Sequence, residues 1–152
     1  VDGLHYAAGS DVERIVEIHG NVREVKCLEC SWRAPMQVAL DRVRAGEEDP
    51  QCPDCGGILK SATISFGENL VASDLVRSQI AADNADVFCA FGTSLGVHPA
   101  AGLPDLALRH GADLVIANAQ PTPFDRRATV VCDAPLGEFL PAVAARLGIP
   151  DQ

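Results

Sequence analysis

Four cysteines arranged as two Cys-x-x-Cys pairs constrain this chain more than any other feature. The pairs are Cys27/Cys30 and Cys52/Cys55, and residues 31–51 separate them. One tetrahedral metal ion can collect all four thiolates across such a spacing, which is typical of a structural zinc site. A site with four thiolate ligands has no open coordination position, so its metal holds structure and does not act on a substrate.

Two other uses of the cysteine pairs are less consistent with the sequence. Redox Cys-x-x-Cys motifs normally stand alone at the start of a helix. A zinc ribbon that binds nucleic acid needs a basic surface, whereas this chain has a net charge of −9. A segment as short as residues 25–59 can form little apolar core, so metal ligation would supply the missing folding free energy. The sequence therefore predicts one structural zinc ion.

The composition limits the class of protein. A chain of 152 residues with 47% hydrophobic content is long enough for one ordinary core and a small appended module. No stretch approaches the roughly 18 consecutive apolar residues of a membrane span. The remaining cysteines, Cys89 and Cys132, lie in apolar runs and no secretory leader is visible, which predicts a reducing, cytoplasmic setting. We expect neither a nucleic-acid nor a membrane partner, and the sequence does not indicate an oligomeric state.

After Gly57 the chain alternates between apolar strands and helices. This alternation predicts an α/β fold with a Rossmann-like parallel sheet, into which the small zinc-binding module is inserted. The expected domains are an α/β domain formed by residues 1–24 and 60–152, and the zinc module formed by residues 25–59. The predicted strands are residues 63–66, 86–91, 114–117 and 129–132, and the predicted helices are residues 7–19, 36–43, 71–82, 99–110 (ended by Gly111) and 136–147.

Polar residues follow two of the predicted strands. Gly92, Thr93 and Ser94 come after strand 86–91, and Asn118 comes after the next strand. Open α/β sheets bind ligands at the carboxyl ends of their strands. Glycine lets the backbone approach a phosphate or ribose, and hydroxyl, amide and carboxamide groups can bond to it. Both segments also suit ordinary turns, so together they favour a nucleotide site only modestly.

Two further positions are candidates for a functional site. His19 lies between an apolar segment and Gly20, where its side chain can face a cleft, although a lone histidine there is more often structural. Phe66 and Gly67 end the strand that leaves the cysteine module. Unpaired backbone groups at such a position can accept an extended peptide by strand addition. The alternative is a linker that turns at Gly67.

Assembled in order, these motifs resemble the sirtuin family, the NAD-dependent protein-lysine deacylases. The resemblance covers nearly the whole chain. It is carried by Val1-Asp2-Gly3-Leu4-His5 with Ala8-Gly9-Ser10, Glu17-Ile18-His19-Gly20, both cysteine pairs, Phe66-Gly67-Glu68, Gly92-Thr93-Ser94-Leu95 through Pro99-Ala100-Ala101, and Ile116-Ala117-Asn118.

The resemblance implies a role for each motif. His19 would be the general base that takes a proton from a ribose hydroxyl, after the acyl-lysine oxygen has attacked the carbon that bears nicotinamide. NAD would be contacted by Asp2 at the nicotinamide carboxamide, by Gly92, Thr93 and Ser94 at the phosphates and adenine ribose, and by Asn118 at the adenine ribose. The acyl-lysine peptide would bind along Ser65, Phe66 and Gly67. The products would be nicotinamide, the free lysine and an acylated ADP-ribose.

The chain also departs from the family pattern. The glycine-rich first nucleotide-binding loop of the family does not occur among these residues, which predicts a C-terminal portion that is inactive or nearly so by itself. Smaller departures are Ser61 in place of a proline, Gly96 in place of a bulkier residue and Ala134 in place of a glycine. The alternative function is a non-catalytic zinc-containing scaffold, or a remnant that binds ADP-ribose or a partner without turnover.

Overall fold

The computed structural model describes residues 1–149, and the chain divides into two compact units, residues 1–74 and the part from Leu75 onward. The first unit contains helix α1 (Leu4–Ala7), strand β1 (Gly20–Cys27), strand β2 (Arg33–Pro35), helix α2 (Met36–Arg44) and strand β3 (Leu59–Thr63). Helix α3 (Ala72–Asp83) begins in this unit. The second unit contains β4 (Val87–Phe91), α4 (Leu103–Arg109), β5 (Asp113–Ala117), β6 (Val130–Cys132) and α5 (Leu136–Arg146).

The first unit is built on a three-stranded antiparallel sheet in the order β2-β1-β3. The register between β1 and β3 shifts between Gly20 and Val25. The buried side chain of Asn21 stabilises this bulge. Its Oδ1 atom accepts hydrogen bonds from the backbone N–H groups of Arg23 and Glu24. After the bulge, Val25 and Cys27 point into the interior of the unit.

The second unit contains a three-stranded parallel sheet in the order β4-β5-β6. The central strand is the most deeply buried: Leu114 and Ile116 on one face and Ala117 on the other are at most 1% exposed, as expected for a parallel strand covered on both faces. Leu95 and Phe124 complete the core around it. The predicted α/β fold class, with a parallel sheet in the C-terminal part and a separate four-cysteine cluster, is confirmed.

Most of the helices and strands predicted after residue 67 are present, with their ends shifted by a residue or two. Gly111 ends α4 as expected, since it follows the last turn with φ of +91°. In place of one helix over residues 99–110, a 3₁₀ turn (Ala100–Gly102) precedes α4. Among residues 1–149, no helix combines the length and the apolar character needed to cross a bilayer.

Two predicted elements are wrong. Residues 7–19 do not form one helix: α1 ends at Ala7, Gly9 has φ of +74°, and a single 3₁₀ turn (Val12–Arg14) follows, capped by the Asp11 carboxylate. Residues 63–66 are not a strand either, because β3 occupies Leu59–Thr63 and a turn follows it. The first error arises where Gly9 takes up the left-handed conformation and the chain leaves the helix, and the second where the Glu68 carboxylate accepts the Ser65 N–H and closes a turn.

Candidate functional site

The four cysteines converge beside the paired ends of β1 and β3. Cys27 is the last residue of β1, and Cys52 lies in a tight loop closed by two hydrogen bonds, from its own N–H to the Gly57 carbonyl and from the Gly56 N–H to its carbonyl, both 2.8 Å long. A Cβ at Gly57 would lie 3.1 Å from the Sγ atom of Cys27. Glycine at this position therefore keeps space open around the thiols.

The distances between the thiols match a tetrahedral metal site. The Sγ atoms of Cys27 and Cys55 are 3.6 Å apart, those of Cys30 and Cys52 are 3.6 Å apart, and all four lie within 4.8 Å of one another. Four Zn–S bonds of about 2.3 Å place the sulfur atoms about 3.8 Å apart. The cluster could therefore hold one structural zinc ion, as predicted.

The electrostatics of the cluster also favour a cation. Burial opposes ionisation of Cys27, but backbone N–H groups of Glu29 and Cys30 outweigh it and lower the pKa of this thiol to about 7. At Cys55 the N–H of Gly57 favours the thiolate, yet the neighbouring thiols Cys30 and Cys27 raise its pKa to about 12. Four thiolates this close repel one another, and a bound dication offsets that repulsion.

Arg42, in helix α2, forms hydrogen bonds with the loop that contains Cys52. Its Nε and Nη2 atoms donate to the two carboxylate oxygens of Glu47 at 2.7 and 2.6 Å, and its Nη1 donates to the Gln51 carbonyl at 2.7 Å. Gln51 directly precedes Cys52. The side chain thus positions one ligand segment without touching a thiol.

We expect Arg42→Met to weaken zinc retention by about tenfold, the low end of the range for groups that orient metal ligands. The measurement is the chelator concentration that removes half of the zinc. The matched control is Arg44→Met, since Arg44 pairs with Asp41 on the same helix at 2.9 Å and leaves the cysteine loop alone. Equal zinc retention in the two variants would contradict this role for Arg42.

His19 lies at the start of β1 and is fixed through its backbone. Its carbonyl accepts the N–H of Ile64 at 2.9 Å, and the next residue, Gly20, has φ of +69°. A Cβ at Gly20 would lie 2.1 Å from the Ala62 carbonyl oxygen, so only glycine fits. The imidazole Nε2 atom is buried and has no hydrogen-bond partner within residues 1–149. Such an atom is suited to receive a polar group of a ligand.

Asp2 and His19 line the same cavity, which has a volume of about 190 Å³ and also includes Gly3, Tyr6 and Glu17 in its wall. Asp2 is exposed, and the N–H of Leu4 donates to its Oδ1 at 3.0 Å and lowers the pKa of the carboxyl. A carboxylate and an imidazole therefore face one small space. The cavity is smaller than the roughly 300 Å³ or more of a drug-sized pocket, so it suits a small group or one part of a larger ligand.

Ser65, Phe66 and Gly67 form a turn instead of the predicted strand. The Glu68 carboxylate closes it: Oε2 accepts the Ser65 N–H at 2.6 Å and the Lys60 ammonium at 2.6 Å. Lys60 also donates to the Ser65 hydroxyl at 2.8 Å. The Phe66 side chain is 93% exposed at the tip of the turn. An apolar ring presented in this way is available to a partner.

We expect the Glu68 contribution to stability to disappear in acid. The hydrogen bond from Lys60, with that from the Ser65 N–H, lowers the pKa of Glu68 from 4.5 to about 2. A lowered folded-state pKa stabilises the fold above the unfolded value, and this contribution is lost as the pH falls from about 4.5 towards about 2. Urea denaturation at pH 7 should show the wild type more stable than Glu68→Gln, and this difference should shrink by pH 3. The control is Glu48→Gln at an exposed position, which should leave the free energy of unfolding at pH 7 close to that of the wild type.

In the second unit, the predicted nucleotide contacts share one edge of the parallel sheet. Phe91 pairs with Ala117 in the register of β4 and β5, so Gly92 and Asn118 leave neighbouring strands side by side. Gly92 has φ of +61° and donates its N–H to the Ala117 carbonyl at 2.9 Å. The Thr93 hydroxyl accepts the Leu95 N–H at 3.3 Å. Ser94 follows in the same loop.

Asn118 borders a second cavity, of about 400 Å³, whose wall includes Gln120, Asp125, Val131 and Asp133. Its Nδ2 donates to the Gln120 carbonyl at 2.8 Å, which is the local turn bond that its sequence context also allowed. The Oδ1 atom of Asn118 is an acceptor beside the cavity. Sequence reasoning missed Asp125 and Asp133, because neither belongs to a recognisable motif.

Comparison with known proteins decides the family. The sequence model of the Sir2 family matches residues 1–99. The chain belongs to the Sir2 family.

The Sir2-family relatives are similar over almost all of this chain. It is 48% identical over 148 residues to NAD-dependent protein deacetylase 2 of Streptomyces coelicolor, covering 97% of the chain and 61% of that protein. It is 38% identical to an NAD-dependent protein deacetylase of Haloarcula marismortui, covering 97% of the chain and 56% of that protein. The chain thus spans about 60% of the length of the first of these relatives.

Solved structures of the Sir2 family have the same fold. A structure of Sir2 with a p53 peptide and NAD+ superimposes with a TM-score of 0.91 at 34% identity, covering 99% of this chain and 61% of that one. A structure of Sir2Tm bound to a propionylated peptide gives a TM-score of 0.91 at 34% identity, covering 99% of this chain and 62% of that one.

Proposed function

We propose that this chain carries part of the active site of an NAD-dependent protein-lysine deacylase. The observation that carries the proposal is the buried, unpartnered Nε2 of His19 in a cavity shared with Asp2, in a member of a family whose named relatives are NAD-dependent deacetylases. When bound, NAD supplies the ADP-ribose that accepts the acyl group and releases nicotinamide.

His19 is the proposed general base. Imidazole is effective near neutral pH in this role, and a buried Nε2 without an intramolecular partner is available to take a proton from a ligand hydroxyl. Asp2 is proposed to orient the carboxamide of nicotinamide. Its Oδ1 is already occupied by the Leu4 N–H, which leaves Oδ2 for that contact.

The remaining contacts are assigned to three groups of residues. The backbone and hydroxyls of Gly92, Thr93 and Ser94 would hold phosphates and the adenine ribose, and Asn118 would bond to that ribose through its Oδ1. The exposed turn Ser65–Gly67 would contact the acyl-lysine peptide. Residues 1–24 and 60–152 are assigned to the nucleotide-binding domain, and residues 25–59 to the zinc module. We further propose a cytoplasmic location, which suits a reduced thiol cluster.

The test is a deacylation assay on the complete gene product. An acetylated lysine peptide, NAD and one water should yield free lysine, nicotinamide and acylated ADP-ribose in equal amounts by mass spectrometry, and no reaction should occur without NAD. Binding of ADP-ribose without consumption of NAD would contradict the enzyme and favour the non-catalytic alternative. We expect a polypeptide of these 152 residues by itself to turn over little or no NAD, because the glycine-rich loop of the family is not among them.

A further inference from the structure

Arg23 connects two segments of the first unit. Its guanidinium carbon lies 4.4 Å from the centre of the Tyr6 ring in α1, and its Nη2 atom is 2.6 Å from Oε2 of Glu17. A Cβ at Gly3 would lie 2.7 Å from Cδ of Arg23, so the backbone at residue 3 lies directly against the arginine stem. One side chain therefore contacts the segment after Asp2 and the segment before His19.

These contacts are stronger than those of an ordinary exposed side chain. Glu17 is only 15% exposed, and a charge-assisted hydrogen bond to a mostly buried carboxylate is worth more than an exposed ion pair. Stacking of a guanidinium on an aromatic face adds a second attraction. Arg23 is 43% exposed and does not itself line the His19 cavity, whereas Gly3, Tyr6 and Glu17 do.

We propose that Arg23 is a positioning residue that holds the Asp2 segment against the His19 segment and so fixes the shape of the cavity. This inference rests on the proposed function, in which the cavity receives the nicotinamide end of NAD. Arg23 acts through Tyr6 and Glu17 and touches no substrate atom. Its loss should therefore change the recognition of NAD and nicotinamide more than that of the acyl peptide.

The experiment compares Arg23→Met with the wild-type complete gene product. Methionine retains an apolar stem but removes the ion pair and the cation–π contact. We expect the KM for NAD and the inhibition constant of nicotinamide to rise by about fivefold or more. A change of this size is typical when one interaction between residues in contact is removed. The KM for the acyl peptide should stay unchanged, whereas the thermal midpoint should fall by a few degrees, because the mostly buried Glu17 carboxylate loses its partner. Arg23→Lys should recover part of the loss, because lysine keeps the charge but not the planar fork.

The matched control is Arg33→Met. Arg33 also lies on the antiparallel sheet and donates to a carboxylate, that of Glu24, at 2.8 Å, but neither residue lines the cavity. This variant should keep the wild-type KM for NAD. An unchanged KM for NAD in Arg23→Met would overturn the proposal. An equal rise in the KM for NAD and the KM for the acyl peptide would also overturn it, since that pattern indicates general loss of structure.

A second measurement does not depend on activity. Ala7 and Ala8 donate their N–H groups to the carbonyls of Gly3 and Leu4 at 3.1 and 2.9 Å, and these bonds close α1. Hydrogen exchange at these amides should be faster in Arg23→Met than in Arg33→Met. Equal exchange rates in the two variants would overturn the proposed positioning role of Arg23. If the wild type shows no NAD-dependent reaction, the proposed function fails while this comparison still decides the role of Arg23.

Discussion

Replacement of His19 by glutamine is expected to lower kcat/KM for deacylation by about a thousandfold, within the range that a general base contributes. Glutamine can fill the space and form hydrogen bonds, but it cannot accept a proton near neutral pH. Because the side chain faces a cavity, the substitution leaves no new packing defect in the core, and the thermal midpoint should be retained.

The rate of nicotinamide exchange separates proton transfer from binding. Incorporation of labelled nicotinamide into NAD comes before the proton transfer assigned to His19, so this exchange should fall far less than deacylation. His110→Gln is the matched control, since His110 pairs with Asp83 between α4 and α3 and does not line the cavity. A His19→Gln variant with more than about a tenth of wild-type deacylation would contradict the assignment, because general bases contribute at least about a hundredfold.

The zinc site and the sheet could be predicted because each depends on a strong local pattern. Two Cys-x-x-Cys pairs determine which atoms a tetrahedral ion can reach, and the structure brings all four thiols within 4.8 Å. A short apolar run rich in β-branched residues, such as Leu114–Ala117, favours a buried strand, and this one is the central strand of the parallel sheet.

The surroundings of His19 were harder to predict, because they depend on contacts between distant residues. Periodic apolar residues at Ile15, Val16 and Ile18 favoured a helix, but Ile15 is extended and these residues line a cavity instead. Glu17 belongs to a motif and could have been singled out with His19. Arg23 could not, because nothing in its local sequence indicates that its side chain reaches back to Tyr6 and Glu17.

Removal of the metal is expected to unfold the module around the cysteines. We expect one zinc ion per chain by elemental analysis. The first unit has little apolar core besides Val25, Ala62 and two of the cysteines themselves, so the metal must supply much of its folding free energy. In isolated zinc-finger peptides that contribution is about 10–16 kcal/mol at neutral pH, more than the total stability of most domains. Prolonged chelation should therefore abolish the cooperative unfolding transition of this unit.

Single cysteine substitutions show whether zinc binding depends on the four-cysteine cluster or on any cysteine of the chain. Cys52→Ser should lose zinc and the cooperative transition, because Cys52 is buried and its sulfur lies 3.6 Å from that of Cys30. Cys89→Ser is the matched control: this cysteine is exposed in β4, outside the cluster, and its substitution should leave the zinc content at one ion per chain. Deacylation should fall with zinc loss, since His19 accepts the N–H of Ile64, the residue that follows β3, and lies in the same unit as the cysteines. A chelated protein that stays folded would show that the four thiols stabilise the module without a metal, and that zinc is not a structural component.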